Sequence, residues 1–204
     1  MNNSILNINE LPAVDRVKHV AQGLALLDAI IMPEWEYRYF SFNCNWDGAG
    51  KEMMASMRDG SGAEYFLHFT DAGVAGKVIC GSPLPNVSEC LNAMPEAFQQ
   101  FKVEPAFSTD NASLFFWRGV KQPSWCASPD GLKEYPLLGF FVGGIAAYKS
   151  LVENYYEKSI DATVLEEVFA SLDVTADQLV SKRPARPPSP RAPLPASSVF
   201  FSRG

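Results

Sequence analysis

Acidic side chains are missing beyond Asp177, histidine occurs only twice, and the four cysteines form no CxxC pair. Each scarcity removes a class of function. Cys44, Cys80, Cys90 and Cys126 have no histidine at ligand spacing, which argues against a zinc site and a dithiol redox centre. The longest apolar run, Leu137 to Tyr148, is well short of the roughly 20 residues that span a bilayer, so no membrane partner is expected. Glu10, Asp15, Arg16 and Lys18 interrupt the apolar pattern a secretory signal would need. A cytoplasmic protein with reduced thiols is the expectation. Ser41, Ser56 and Ser61 lie outside any GxSxG elbow, and the GAG and DGSG segments match neither a Walker loop nor a dinucleotide fingerprint. No cofactor and no metal is expected.

What the chain does carry is charge, unevenly placed. Residues 1 to 181 hold 12 basic and 23 acidic groups, a net of −11, whereas Lys182, Arg183, Arg186, Arg191 and Arg203 follow without a single acid. An acidic body of this kind disfavours nucleic acid, whose phosphates demand a basic footprint, and steers basic partners toward itself.

Periodicity supplies the architecture. Val14, Val17, Ala21, Leu24, Leu27 and Ile31 recur at helical steps, with Pro12 suited to a first turn and Pro33 ending the helix. Trp35, Tyr37 and Tyr39 then alternate with charged residues before the apolar phase slips to Phe40 and Phe42, which reads as a strand with a bulge. Glu52 to Arg58, Glu64 to Thr70 and Val74 to Cys80 follow as strands, separated by Asp- and Gly-bearing turns. A short helix is expected between Pro95 and Phe101, a doubly buried strand at Ser113 to Arg118, and a surface loop from Gly119 to Pro136. Helices from Phe140 to Lys158, after Asp161 or Thr163, and from Ala176 to Val180 complete the body. The expected fold is α+β: an N-terminal helix, an antiparallel sheet of about four to six strands, and C-terminal helices packed on it. Residues 1–180 are expected to form one domain, and residues 181–204, rich in proline and arginine with overlapping PxxP spacings, are expected to form a disordered tail.

Residues that could carry chemistry are few. His19 falls on the polar side of the first helix and His68 alternates along a strand, where a hydrogen-bonded sheet residue is the simpler reading. Asp47, Glu52, Asp59, Glu64 and Asp71 surround the sheet turns and could crowd at one end of it, although each Asp is followed closely by Gly or Ala-Gly, as turn-forming aspartates are. Trp46 and Trp125 lie in polar, turn-rich segments where an exposed indole would anchor a partner. Trp46, Asp47, Asp59, Glu64 and Trp125 are therefore the candidate partner-binding residues.

The segments YRYFSFN, Trp46–Asp47, MASMRDGSG, EYFLHF, EPAF, FFWRG and NYYEKSID, over residues 33 to 172, resemble a family of small bacterial proteins. Its motifs attach to no established activity. Size and layout are similar to the immunity proteins that accompany secreted bacterial toxins, including the SMI1/KNR4-like group of mixed α+β folds. That resemblance implies a cytosolic binding protein that neutralises a basic toxin by covering its surface. A small enzyme or ligand-binding domain with an acidic site at the sheet turns is the alternative, and a structural subunit of a larger assembly is the third.

Overall fold

A computed structural model describes residues 4–130 and 134–170. The helical piece expected at Ala176 to Val180 and the expected tail lie outside the described residues. Among them the fold is α+β, with an N-terminal helix, a six-stranded antiparallel sheet and C-terminal helices. Helix α1 spans Val14–Ile31, and the strands are β1 Phe40–Asn43, β2 Met53–Arg58, β3 Glu64–Thr70, β4 Gly73–Ile79, β5 Leu114–Gly119 and β6 Cys126–Ser128. Between β4 and β5 lie α2 Val87–Asn92 and α3 Gln99–Val103, and after β6 come α4 Gly139–Asn154 and α5 Ala162–Ala170. Strand order follows chain order, so the sheet is a meander.

Side-chain alternation along each strand divides the sheet into two faces. Met57, Tyr65, Val78 and Leu114 align in register on one face, next to Ala55, Leu67 and Phe116, and α1, α4 and α5 cover them. His68, Ala75 and Trp117 align on the other, beside Phe115. The connection from β4 to β5 covers the second face with Met94, Phe98, Phe101 and Phe107, which bury Ala75, Phe115 and Trp117. That explains why Leu114 to Trp117 is continuously apolar: both faces are dry, and each large ring contributes about 2 to 3 kcal/mol by leaving water.

Several boundaries differ from the sequence reading for local reasons. Trp35–Tyr37 forms a 3-10 turn instead of a strand, and β1 begins only at Phe40. The apparent phase slip marks this change of backbone, and no bulge is involved. Pro12 precedes α1, whose first residue is Val14. Strand β6 arises inside the expected surface loop because three residues of β5, Phe115 to Trp117, find partners there. The expected long helix at Phe140 to Lys158 ends at Asn154, and Gly144 inside it has non-helical φ 48° and ψ −125°. Asp161 does cap α5, accepting from the Thr163 N–H at 2.8 Å. His19, expected on a polar surface, is half-buried and donates through Nε2 to the Phe169 carbonyl, tying α1 to α5.

Candidate functional site

Meander topology decides where the candidate acids go. Turns alternate between the two ends of the sheet, so Asp47, Glu52 and Asp71 lie at one end and Asp59 and Glu64 at the other. A seven-residue strand separates them by about 20 Å. The five acids do not crowd.

Each of the five partner-binding candidates is engaged within the molecule. The Asp47 carboxylate accepts from the N–H groups of Ala49, Lys51 and Glu52 at 3.1, 3.2 and 3.3 Å. Desolvation opposes its charged form, but those donors outweigh it and hold the carboxyl below its ordinary value. Asp59 accepts from the Ser61 and Ala63 N–H groups at 2.8 and 3.0 Å and from the Ser61 hydroxyl. Both are turn-formers. Trp46 is half-buried and stacked on Phe107, 5.7 Å between centroids. Trp125, expected in an exposed loop, is 3 % exposed. Its ring packs against Phe116, and its Nε1 donates to the Leu11 and Pro12 carbonyls, so it serves the core and offers no surface to a partner.

Under Phe107 the second face of the sheet carries His68 and Lys77, each paired with a glutamate. His68, 2 % exposed, is 2.9 Å from Glu52 Oε2. Lys77, fully buried, donates to Glu64 Oε1 at 3.3 Å and to the Ser108 carbonyl at 3.2 Å, with the Phe66 ring 4.9 Å away. Burial pushes the Lys77 ammonium below its ordinary value, and Glu64 restores part of that. A histidine–glutamate pair can move protons, and a lysine of lowered basicity can act as a nucleophile. Here both bases are roofed by the β4–β5 connection, so neither reaches a substrate without that cover opening. Their evident effect is to fasten β2, β3 and β4 to their neighbours. Replacing a buried pair by packed apolar groups is often neutral or favourable. Replacing both members, Lys77→Met with Glu64→Leu, is accordingly expected to leave urea-unfolding stability within about 1 kcal/mol or to raise it, whereas Lys77→Met alone strands the Glu64 carboxylate and should cost more. A loss beyond about 3 kcal/mol in the double variant would instead assign the pair an indispensable role. Among the described residues no group of three or more His, Cys, Asp and Glu side chains could hold a metal ion, and no helix is long and apolar enough to cross a membrane.

A different surface has the makings of a site. Asp28 on α1 is fully buried, and its carboxylate accepts from the Tyr39 and Phe40 N–H groups at 2.7 and 2.9 Å and from the Tyr148 and Tyr156 hydroxyls at 3.0 Å. Tyr156 bonds in turn to the Tyr37 carbonyl. This one side chain thereby locks the end of α1, the start of β1 and the end of α4 together. On that frame stand Trp35, Tyr37 and Tyr155, which are 59 %, 55 % and 48 % exposed. The Tyr39 ring lies 4.6 Å from Tyr155. Burial, with Tyr155 beside it, pushes the Tyr39 phenol up to about 12, so it remains a neutral donor.

Charges of both signs surround these rings. Arg38 donates to the Met32 and Pro33 carbonyls and Lys158 to the Ile31 carbonyl, so both cations sit at the carboxyl end of α1. Arg58 lies 5.1 Å over the Trp35 ring. Glu34, Glu36 and Glu157 remain exposed around the patch. The sequence reading missed these residues because the alternation of WEYRY mimics a strand and Tyr155 sits at a helical step. Pro33 and the acids flanking Trp35 were the available signal.

Comparison with protein-family models, with curated proteins and with solved structures found no match for this chain.

Proposed function

We propose that this chain is a protein-binding protein that docks a basic partner on the aromatic patch of Trp35, Tyr37 and Tyr155. The supporting observation is that Trp35, Tyr37 and Tyr155 are large, exposed aromatic side chains on elements that Asp28 holds together, with exposed Glu34, Glu36 and Glu157 next to them in the chain. Tyrosine and tryptophan dominate binding hot spots because they bury a large area at little entropic cost. Acidic rims add steering and on-rate toward cationic surfaces. In its most specific form the reading is an immunity protein that covers the basic cleft of a nucleic-acid-cleaving toxin in the cytosol. Four unpaired cysteines agree with a reducing compartment.

Co-expression with the product of a neighbouring gene, scored by survival and then by calorimetry, tests this. Protection is expected, with Trp35→Ala weakening the complex by about 2 kcal/mol, roughly 30-fold. Absence of binding or protection from every adjacent product overturns the immunity reading. An unchanged dissociation constant in Trp35→Ala removes the patch from the interface.

A further inference from the structure

Between α1 and the start of the sheet runs a groove of ≈ 340 Å³, walled by Ala25, Leu26 and Ala29 of α1 and by Trp35, Arg38 and Phe42. The three α1 residues and Phe42 are half-buried. Residues 1 to 181 carry a net charge of −11, yet among the described residues no acid lines this groove and Arg38 is its single charged side chain. Asp28, beside Ala29 in the chain, is fully buried and taken up by its own donors. A second cation stands close by, because Arg58 lies 5.1 Å over the Trp35 ring. Among the described residues neither arginine forms an ion pair with a carboxylate.

Arg38 is arranged to hold an anion. Its Nε–H and one Nη2–H donate to the Met32 and Pro33 carbonyls, both at 2.7 Å, which fixes the guanidinium plane. The remaining Nη1 and Nη2 hydrogens form the end-on fork that grips a carboxylate through two parallel bonds. The carboxyl end of α1 opposes an anion with only about half an elementary charge, and Arg38 and Lys158 both offset it.

We propose that the groove binds a small organic carboxylate with an aryl body, its carboxylate on Arg38 and its ring among Ala25, Leu26, Ala29 and Phe42. Three features select this ligand. The volume falls at the lower end of the range for ligand pockets, about 300 to 1,000 Å³, which suits a small molecule. Apolar walls beside one oriented polar group favour a body that leaves water over a bare ion. A groove whose one charge is positive attracts a carboxylate and repels an ammonium. This ligand site goes beyond the protein-binding reading above and shares only Trp35 with it.

The test uses the full chain labelled with nitrogen-15 and four probes: phenylacetate, the neutral phenylacetamide, phenethylammonium and inorganic phosphate. Phenylacetate is expected to shift the Trp35 indole and Arg38 Nε–H resonances saturably. The amide and the ammonium should bind at least about tenfold more weakly, as loss of a charge-assisted bond requires, and phosphate should give no saturable shift. Ala29→Phe, which fills the groove, and Arg38→Gln, which removes the fork, should each weaken phenylacetate at least about tenfold. Amide binding equal to that of the carboxylate, a phosphate response as strong as that of phenylacetate, or indifference to Ala29→Phe overturns the site. So does the absence of any saturable shift with phenylacetate. The amide comparison and Ala29→Phe decide the outcome if Arg38→Gln, deprived of its bonds to Met32 and Pro33, loses its fold. A negative result leaves the protein-binding reading standing, because that reading is scored with a protein partner.

Discussion

Asp28→Ala is expected to destabilise the protein by about 3 to 5 kcal/mol, read as a lowered midpoint in urea with an unchanged slope. The mechanism is the orphaning of donors. Removal of one carboxylate leaves the Tyr39 and Phe40 N–H groups and the Tyr148 and Tyr156 hydroxyls without their acceptor in a site where Asp28 itself is fully buried. An unsatisfied buried donor costs about 1 to 3 kcal/mol, and the hydroxyls can recover part of the loss by rotating. The patch should loosen with it, because the carboxylate joins the elements that carry Trp35, Tyr37 and Tyr155. A loss below about 1 kcal/mol would show that the network adds nothing beyond packing.

Asp28→Asn separates charge from hydrogen bonding. Its carbonyl can face the two backbone donors while its amide donates to the phenolic oxygens, so a smaller loss than for Ala is expected. Burial raises the Asp28 carboxyl above its ordinary value of 3.8, against the donors that favour its charge. Burial, together with the nearby Asp28 charge, likewise raises the Tyr148 and Tyr156 phenols. A raised carboxyl means that the folded state binds its proton more tightly than the unfolded chain does. The associated stability is therefore fully present below the unfolded value and declines as pH rises through the folded one. The stability of the native protein minus that of Asp28→Asn should fall with rising pH over that window and then level off. A difference that grows with pH would reverse the sign and assign the carboxyl a lowered value.

Gly73→Ala is expected to cost about 3 kcal/mol or more, measured as a drop of about 10 °C in melting temperature. Gly73 opens β4 with φ 134°, a conformation that side chains rarely adopt. An added Cβ would lie 2.2 Å from the Arg118 carbonyl oxygen and 2.8 Å from the Gly119 Cα. Both atoms are backbone of β5 where it pairs with β4, and they cannot move away without disturbing that pairing. Gly60 provides the control. Its φ of 75° is also positive, but a Cβ there meets nothing within 4 Å, so Gly60→Ala should cost only the conformational strain of about 1 to 2 kcal/mol. Equal losses at the two positions would show that strain, and not contact with β5, sets the penalty at Gly73.

Much of the fold was legible because its signals are local. The strand expected at Glu64 to Thr70 matches β3, and the apolar steps of α1 face the core from Val17 to Ile31, since strand alternation and helical period are read from neighbours in sequence. The turn roles of Asp47 and Asp59 were legible for the same reason: their acceptors bind N–H groups two to five residues away. The site was less legible. Trp125 and Trp46 sit in similar polar contexts, yet Trp125 bonds to carbonyls 113 and 114 residues distant while Trp46 caps a ring of the second core. Nothing local in the sequence singles out Asp28, because its phenolic donors come from 120 and 128 residues away.

What the sequence by itself determined is therefore the kind of each long element, the turn chemistry between strands and the acidic balance of the chain, all properties of adjacent residues or of their sum. Only the tertiary structure decided that the acids divide between opposite ends of the sheet, that the β4–β5 connection roofs His68 and Lys77, and that Trp35, Tyr37 and Tyr155 stay exposed while Trp125 is buried. The physical reason is that exposure and proximity are set by segments distant in the chain. A tyrosine or tryptophan has the same local grammar whether a remote segment buries it or leaves it for a partner.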